Sequence, residues 1–300
     1  MQDIRICFLG TAAGTPSRDR NVSGAALILD GTVLLFDCGE GTQHQLLRAP
    51  VRSGAIEAIF LSHLHGDHVY GLPGLLATMS MNSRSRALEV YGPAGLRDYI
   101  ECTLRTTSHN PIFDVIPVED SRPRLSKRGY RVESAHLDHT VPSLGWCVIE
   151  DDHPGKFDVE RARALGIPAG PLFGSLQRGQ SVMVGDRLIA PSEVLGEPRR
   201  GRRIAFVSDT RPCDAAIELA RGADVLVHEA TYAADLAAEA KERGHSTAEG
   251  AARVAAAAGV RRLILTHFST RYGDVQPLVN EARAIFPATD AASDLAVFDV

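Results

Sequence analysis

Ser62-His63-Leu64-His65-Gly66-Asp67-His68 places three imidazoles and one carboxylate within six residues, directly after the apolar run Ile56–Leu61. Such groups are costly to bury unpaired, so a convergent set needs a cation or solvent. The strand end delivers a tight loop, and Gly66 permits the bend that brings the four donors together. A lone histidine is more often structural; four donors in this order point to a metal site. Further donors stand at other strand ends. His139 follows a strand-like segment and precedes Val141-Pro142-Ser143-Leu144-Gly145-Trp146. Asp209 ends Ile204-Ala205-Phe206-Val207-Ser208, and His267 ends Leu263-Ile264-Leu265-Thr266. A polar residue just after a buried strand is where such sites are built. Singly, each could be a cap or turn residue, and Asp209-Thr210 could cap a turn before a helix at Asp214. Beside the four-donor loop, the metal reading wins.

Other histidines carry less. His136 lies close to His139 and is the alternative donor, although the context Thr140–Trp146 favours His139. His228 closes the run Val225–Val227 and reads as a supporting or core residue. His44, His109 and His153 have no supporting context and read as surface or structural.

Positioning these donors requires strands that end at one place. Apolar, β-branched runs recur at Ile4–Leu9, Ala26–Leu29, Val33–Phe36, Ile56–Leu61, Leu88–Tyr91, Ile204–Val207, Val225–Val227 and Leu263–Thr266. Helical periodicity alternates with them at Ala94–Leu104, Asp214–Arg221, Tyr232–Arg243, Thr247–Ala258 and Pro277–Phe286. A strand-rich first half, a mixed second half and no internal repeat predict two sheets in a sandwich with helices outside, an α/β fold.

One segment does not fit a compact sandwich. From Asp151 to Gly201 glycine and proline recur thirteen times, among them Gly166, Pro168, Gly170 and Pro171. Within it, Asp158–Leu165 reads as a short helix, and Ser181–Val184 with Arg187–Ile189 as a hairpin. A stretch of this length with little apolar period is an insertion rather than core. It is either a surface loop or a protruding arm.

Composition bounds the rest. Three hundred residues at 44% hydrophobic suffice for one full domain, with or without an excursion. No window approaches eighteen consecutive apolar residues, so no membrane helix is expected. The start Met1-Gln2-Asp3-Ile4-Arg5 shows no leader, and the expected location is the cytoplasm. Five scattered cysteines without a CxxC read as reduced thiols, so any metal must use other ligands. A net charge of −5 argues against a nucleic-acid coat, although Arg122–Arg131 and Arg199–Arg203 are locally basic. Either basic run alone reads as a solvated loop.

Over nearly its whole length the chain resembles the ribonuclease Z family of tRNA 3′-processing endonucleases, within the metallo-β-lactamase superfamily. The resemblance is carried by Phe8-Leu9-Gly10-Thr11 through Pro16-Ser17 and Arg20-Asn21-Val22-Ser23, and by Phe36-Asp37-Cys38-Gly39-Glu40-Gly41-Thr42-Gln43. The His63–His68 loop and Gly71-Leu72-Pro73-Gly74-Leu75 follow. Ser208-Asp209-Thr210-Arg211, Val227-His228-Glu229-Ala230-Thr231, Gly244-His245-Ser246-Thr247 and Leu265–Tyr272 complete it. The superfamily loop alone fixes only an αββα sandwich. The His-Glu-Ala-Thr and His-Ser-Thr blocks, with Gly166–Leu172, single out the tRNA enzymes.

The resemblance implies one metallo-β-lactamase-type domain over 1–300, with 151–201 inserted as a flexible arm that holds tRNA through Gly166, Pro168, Gly170 and Pro171. It implies two zinc ions, manganese being admissible with these donors. His63, His65 and His139 would hold one, Asp67, His68 and His267 the other, and Asp209 would bridge. It further implies a water nucleophile giving its proton to Asp67. His245, oriented by Glu229, would protonate the departing 3′ oxygen. The implied products are a tRNA ending in a 3′-hydroxyl and a trailer with a 5′-phosphate, and a homodimer is expected.

A generic phosphodiesterase, arylsulfatase or thioesterase of the same fold is the alternative, but it would lack the arm and the Gly244–Thr247 block. A non-catalytic RNA-binding module would have lost ligands, and all seven are present. A β-lactam hydrolase fits worse, because Asp67 suits phosphoester chemistry.

Overall fold

In the computed structural model, residues 3–108, 110–120 and 124–300 are described; His109 and Arg122 lie outside them. The chain divides into two units, one of residues 1–126, 132–148 and 203–300 and one of residues 127–131 and 149–202.

Central strands of the larger unit, such as Gly24–Leu29 and Thr32–Phe36, are buried on both faces, which is why they read as unbroken apolar runs rather than alternating ones. One sheet runs, in spatial order, Val297–Asp299, Ile4–Gly10, Gly24–Leu29, Thr32–Phe36, Ile56–Phe60, Leu88–Tyr91 and Val115–Val118. From Thr32–Phe36 onward these strands are parallel, so their C-terminal ends share one edge. The second sheet runs Thr289–Ala291, Leu263–Thr266, Val225–Glu229, Arg203–Val207, Ser143–Glu150, Tyr130–Leu137 and Leu125–Lys127. Its central strands are also parallel.

Side-chain alternation decides what each face meets. Phe60 points between the sheets, 5.1 Å from Trp146, and Phe36 stacks on Phe206 at 3.9 Å. Ile59 and Leu61 point the other way and pack with Leu72, Leu75, Leu76, Leu96 and Ile100 of the helices Leu72–Met81 and Leu96–Thr106. Asp214–Ala220, Ala248–Ala258 and Gln276–Arg283 cover the second sheet. The result is the expected αββα sandwich.

Two local expectations are corrected. Tyr232–Arg243 is not one helix: Tyr232 forms a bridge with Thr247, a 3-10 turn spans Ala234–Leu236, and the helix is Ala237–Arg243. The strand predicted to end at Val227 continues to Glu229, which puts His228 inside it. The alternative set aside for Asp209, a capping role before the next helix, is not seen: Cys213 is the residue preceding Asp214–Ala220.

The smaller unit has its own apolar cluster of Ala162, Ile167, Leu176, Val182, Ile189 and Val194. It contains the helices Val159–Ala164 and Pro171–Gln177 and the hairpin Val182–Val184/Arg187–Ile189. Proline opens the second helix, where its missing N–H costs nothing. Gly166, Pro168, Gly170 and Pro171 are exposed around buried Ile167. Glu150, 2% exposed, binds Arg202 through Nε at 2.9 Å and accepts from His153 at 3.0 Å.

Candidate metal centre

The loop after Ile56–Phe60 is fixed by the neighbouring strand ends. Ser62 N–H donates to Asp37 Oδ1 at 2.7 Å, and Leu144 N–H donates to the Ser62 carbonyl at 2.8 Å. Gly66 does not adopt a left-handed conformation. It opens the one-turn helix Gly66–Val69, and the Tyr70 ring lies where its Cβ would be, 2.1 Å away. The reason for glycine there is ring packing rather than backbone freedom.

All seven expected ligands converge, in groups joined at Asp209. His63, His65, His139 and Asp209 have donor atoms within 4.8 Å of one another, as do Asp67, His68 and His267. Asp209 Oδ2 lies 3.7 Å from His63 Nε2, while its Oδ1 lies 3.5 Å from His68 Nε2 and 3.2 Å from His267 Nε2. Each carboxylate oxygen therefore faces a different group. His136 is exposed on the strand Tyr130–Leu137 and joins neither group, whereas His139 lies in the first.

Three of the rings are oriented through the nitrogen that faces away from the donor groups, as metal-binding imidazoles are. His68 Nδ1 sits 2.8 Å from Asp37 Oδ2, His139 Nδ1 2.7 Å from the Gly244 carbonyl, and His267 Nδ1 3.0 Å from Thr231 Oγ1. That leaves His68 Nε2 fully buried with no hydrogen-bond partner, 3.3 Å from Asp67 Oδ2. A buried ring nitrogen facing two carboxylates, among further imidazoles, is chemistry that fits a divalent cation. His267 itself is held at φ 58°, a left-handed conformation a histidine adopts only when its surroundings impose it.

Electrostatics agree. Burial works against the charge on Asp209, yet His267, His68 and His63 hold its carboxyl well below the usual range. Burial, with the neighbouring His68, pushes His63 well down, leaving it neutral and able to donate a lone pair. Asp67 Oδ2 also accepts the backbone N–H of Gly14 at 2.8 Å.

Beside these groups stands His245, its Nδ1 3.0 Å from Glu229 Oε1 and 3.8 Å from Asp209 Oδ2. Burial opposes its charge, but Glu229 and Asp209 raise it to about 9. Glu229 is fully buried and saturated: Oε1 accepts Thr210 N–H at 3.0 Å, and Oε2 accepts the Thr231 hydroxyl at 2.6 Å and its N–H at 3.1 Å. A carboxylate fixed by this many donors holds the His245 ring in place and favours its charged form. His228 is not part of the centre; buried and with its pKa lowered by burial, it donates Nδ1–H to the Glu229 carbonyl at 2.7 Å.

Sequence reasoning missed Asp37, Thr231 and the Gly244 carbonyl. Asp37 follows the apolar run Val33–Phe36 as Asp209 and His267 follow theirs, so the strand-end rule could have found it.

Residues 192–268 match a family described as beta-lactamase superfamily domain, and residues 4–151 one described as anti-Pycsar protein Apyc1. A ribonuclease Z from Methanothermobacter thermautotrophicus is 45% identical over 299 residues, 99% of this chain and 97% of that protein. A ribonuclease BN from Escherichia coli is 44% identical over 99% of this chain and its own full length. The chain belongs to the ribonuclease Z family. The structure of human tRNase Z, short form, is also similar, at TM-score 0.73 and 31% identity over 98% of both chains. Because the ribonuclease Z matches are full length, they span the metal-site loop and residues 151–201 alike. Among the described residues no helix is long and apolar enough to cross a membrane.

Proposed function

We propose that the chain is the metal-dependent endoribonuclease that removes the 3′ trailer from precursor tRNA, leaving a 3′-hydroxyl on the tRNA and a 5′-phosphate on the trailer. The observation that carries this reading is Asp209, whose two oxygens face separate donor groups while Oδ2 also lies 3.8 Å from His245. Two zinc ions per chain, with manganese also suited to these donors, would be held by His63, His65 and His139 on one side and Asp67, His68 and His267 on the other. When bound, such a pair supplies the positive charge that acidifies water and stabilises both oxygens of an in-line displacement.

The chain's own groups do the rest. Asp67, aimed by the Gly14 N–H, accepts the proton of the attacking water. His245, held by Glu229, gives its proton to the departing ribose 3′ oxygen, which is a poor leaving group without one. Glu229 and Asp209 hold that imidazole in its protonated form ahead of the transfer, its pKa raised to about 9. Residues 151–201 form the arm that holds the tRNA body through the exposed Gly166, Pro168, Gly170 and Pro171. The active form is a homodimer acting in the cytoplasm.

The test is incubation of zinc-loaded protein with a 3′-labelled precursor tRNA, with both new ends mapped. Cleavage at the acceptor-stem end with the stated termini is expected. Protein that hydrolyses a nitrophenyl diester but leaves the precursor intact would be a generic phosphodiesterase instead.

A further inference from the structure

Asp294 lies in the segment between the strands Thr289–Ala291 and Val297–Asp299, yet its two oxygens accept three hydrogen bonds, two of them from the loop that reaches Asp67. Oδ1 accepts the Thr11 hydroxyl at 2.8 Å; Oδ2 accepts the Asn21 backbone N–H at 2.7 Å and the Gln45 amide at 2.9 Å. Thr11 and Asn21 are the two ends of the loop whose middle supplies the Gly14 N–H to Asp67 Oδ2. The same loop is held on its other side: Arg20 donates to Thr11 Oγ1 at 3.0 Å, and its guanidinium lies 5.2 Å over Phe268, the neighbour of His267. Asp294 thus has three donors converging on it from two different elements, and the loop it closes ends on the carboxylate beside the reaction.

We propose that Asp294 is a positioning residue for this reaction: it latches the loop Thr11–Asn21 so that the Gly14 amide keeps Asp67 aimed. The proposal rests on the hydrolytic reading of the site. The latch works by acceptor geometry rather than by charge. In Asp294→Asn the amide oxygen still accepts from Asn21 and Gln45, and the amide nitrogen donates to Thr11 Oγ1, which has a lone pair to accept it. Asp294→Ala leaves three donors without their acceptor.

The test is hydrogen exchange on wild type, Asp294→Ala and Asp294→Asn, each metal-free and zinc-loaded, with steady-state hydrolysis of bis(p-nitrophenyl) phosphate. In Asp294→Ala the Asn21 and Gly14 amides should exchange at least about tenfold faster in both metal states, while amides of Ile56–Phe60 keep their protection. The kcat should fall about tenfold at an unchanged KM and zinc content, as misplacing a reacting group does. Asp294→Asn should restore most of both losses. Unchanged loop exchange in Asp294→Ala, a loosened loop with unchanged kcat, or an Asp294→Asn as impaired as Asp294→Ala would each overturn the proposal. A wild type that hydrolyses the diester but not precursor tRNA would sink the tRNA reading alone, since none of these readouts uses RNA.

Discussion

His139 donates its Nδ1–H to the carbonyl oxygen of Gly244 at 2.7 Å, and the residue after Gly244 is His245. A carbonyl can only accept, so this bond fixes the tautomer and leaves the His139 Nε2 lone pair for the group containing His63 and His65. One turn therefore sets both a candidate ligand and the candidate acid.

Gly244 permits this contact because it lacks a side chain. Its φ is +80°, and a Cβ would stand 2.8 Å from His139 Nδ1 and 3.1 Å from the Thr140 N. Gly244→Ala should displace the His139 ring and lower bound zinc from about two per chain toward one, with an unchanged circular dichroism spectrum. Elemental analysis after gel filtration reads the outcome. Full zinc content and wild-type turnover would show that the turn does not govern the ring.

Much of this architecture was legible because the strands carry their own signal. Ile56–Leu61 and Leu263–Thr266 are apolar on both faces, and the observed strands Ile56–Phe60 and Leu263–Thr266 end within one residue of them. Thr247 caps its helix by accepting Gly250 N–H at 3.0 Å, which is why periodicity placed that start well. What escaped depends on tertiary structure. The Gly244 carbonyl is a backbone atom and carries no residue-type signal. Asp37 stands at a strand end like Asp209 and His267, but its role as the acceptor for His68 Nδ1 at 2.8 Å and for Ser62 N–H at 2.7 Å is visible only in the folded chain. Tyr232 looked helical, but its backbone is committed to the bridge with Thr247. In residues 151–201 the helix Pro171–Gln177 went unread because glycines and prolines dominate its flank, although Leu176 and Ile167 share a small core.

Acid should loosen the smaller unit. Burial alone would raise Glu150, but hydrogen bonds and charge from Arg202, with His153, bring it to about 2, below its ordinary 4.5. A carboxylate depressed on folding contributes stability that is fully present above the unfolded value and lost as pH falls through the folded one. Discounted for solvent screening, the contribution is on the order of 1–3 kcal/mol, fading as pH falls from ~4.5 to ~2. Hydrogen exchange of Val182–Val184 amides as a function of pH reads it. Glu150→Gln should show weakened protection already at pH 7 and a flatter acid dependence; an unaltered profile would mean that the pair does not hold this unit.

His245→Ala separates acid catalysis from metal binding. His245 is oriented by Glu229 at 3.0 Å and is not among the seven expected ligands, although its ring also lies within reach of Asp209 and His267, so zinc content and fold should persist if it acts as the acid rather than as a ligand. Turnover on precursor tRNA should fall by about 10²–10⁴, the usual worth of a general acid. A nitrophenyl diester carries a good leaving group that needs no proton, and its rate should change far less. Equal losses on both substrates would mean that His245 acts in some other way.

The last prediction separates residues 151–201 from the chemistry. Within the smaller unit, the Lys156 carbonyl accepts Gly196 N–H at 3.0 Å, and a Cβ on Gly155 would meet the Gly196 carbonyl at 1.9 Å, so the two backbones touch there. Excision of Lys156–Leu195, closed by a short Gly-Ser bridge, joins neighbouring points and keeps Glu150, Arg202 and His153 together; a cut at Gly185 would split the hairpin Val182–Val184/Arg187–Ile189. No expected metal ligand and neither His245 nor Glu229 is removed. The truncated protein should hydrolyse a small diester at nearly the wild-type rate, while its KM for precursor tRNA rises by about tenfold or more through loss of remote binding energy. Phosphate contacts make RNA affinity fall with salt, so the intact protein should show a steeper salt dependence than the truncated one. If the truncated protein bound and cut precursor tRNA normally, with an unchanged salt slope, the assignment of this segment to tRNA would fail and the substrate would have to be held by the larger unit alone.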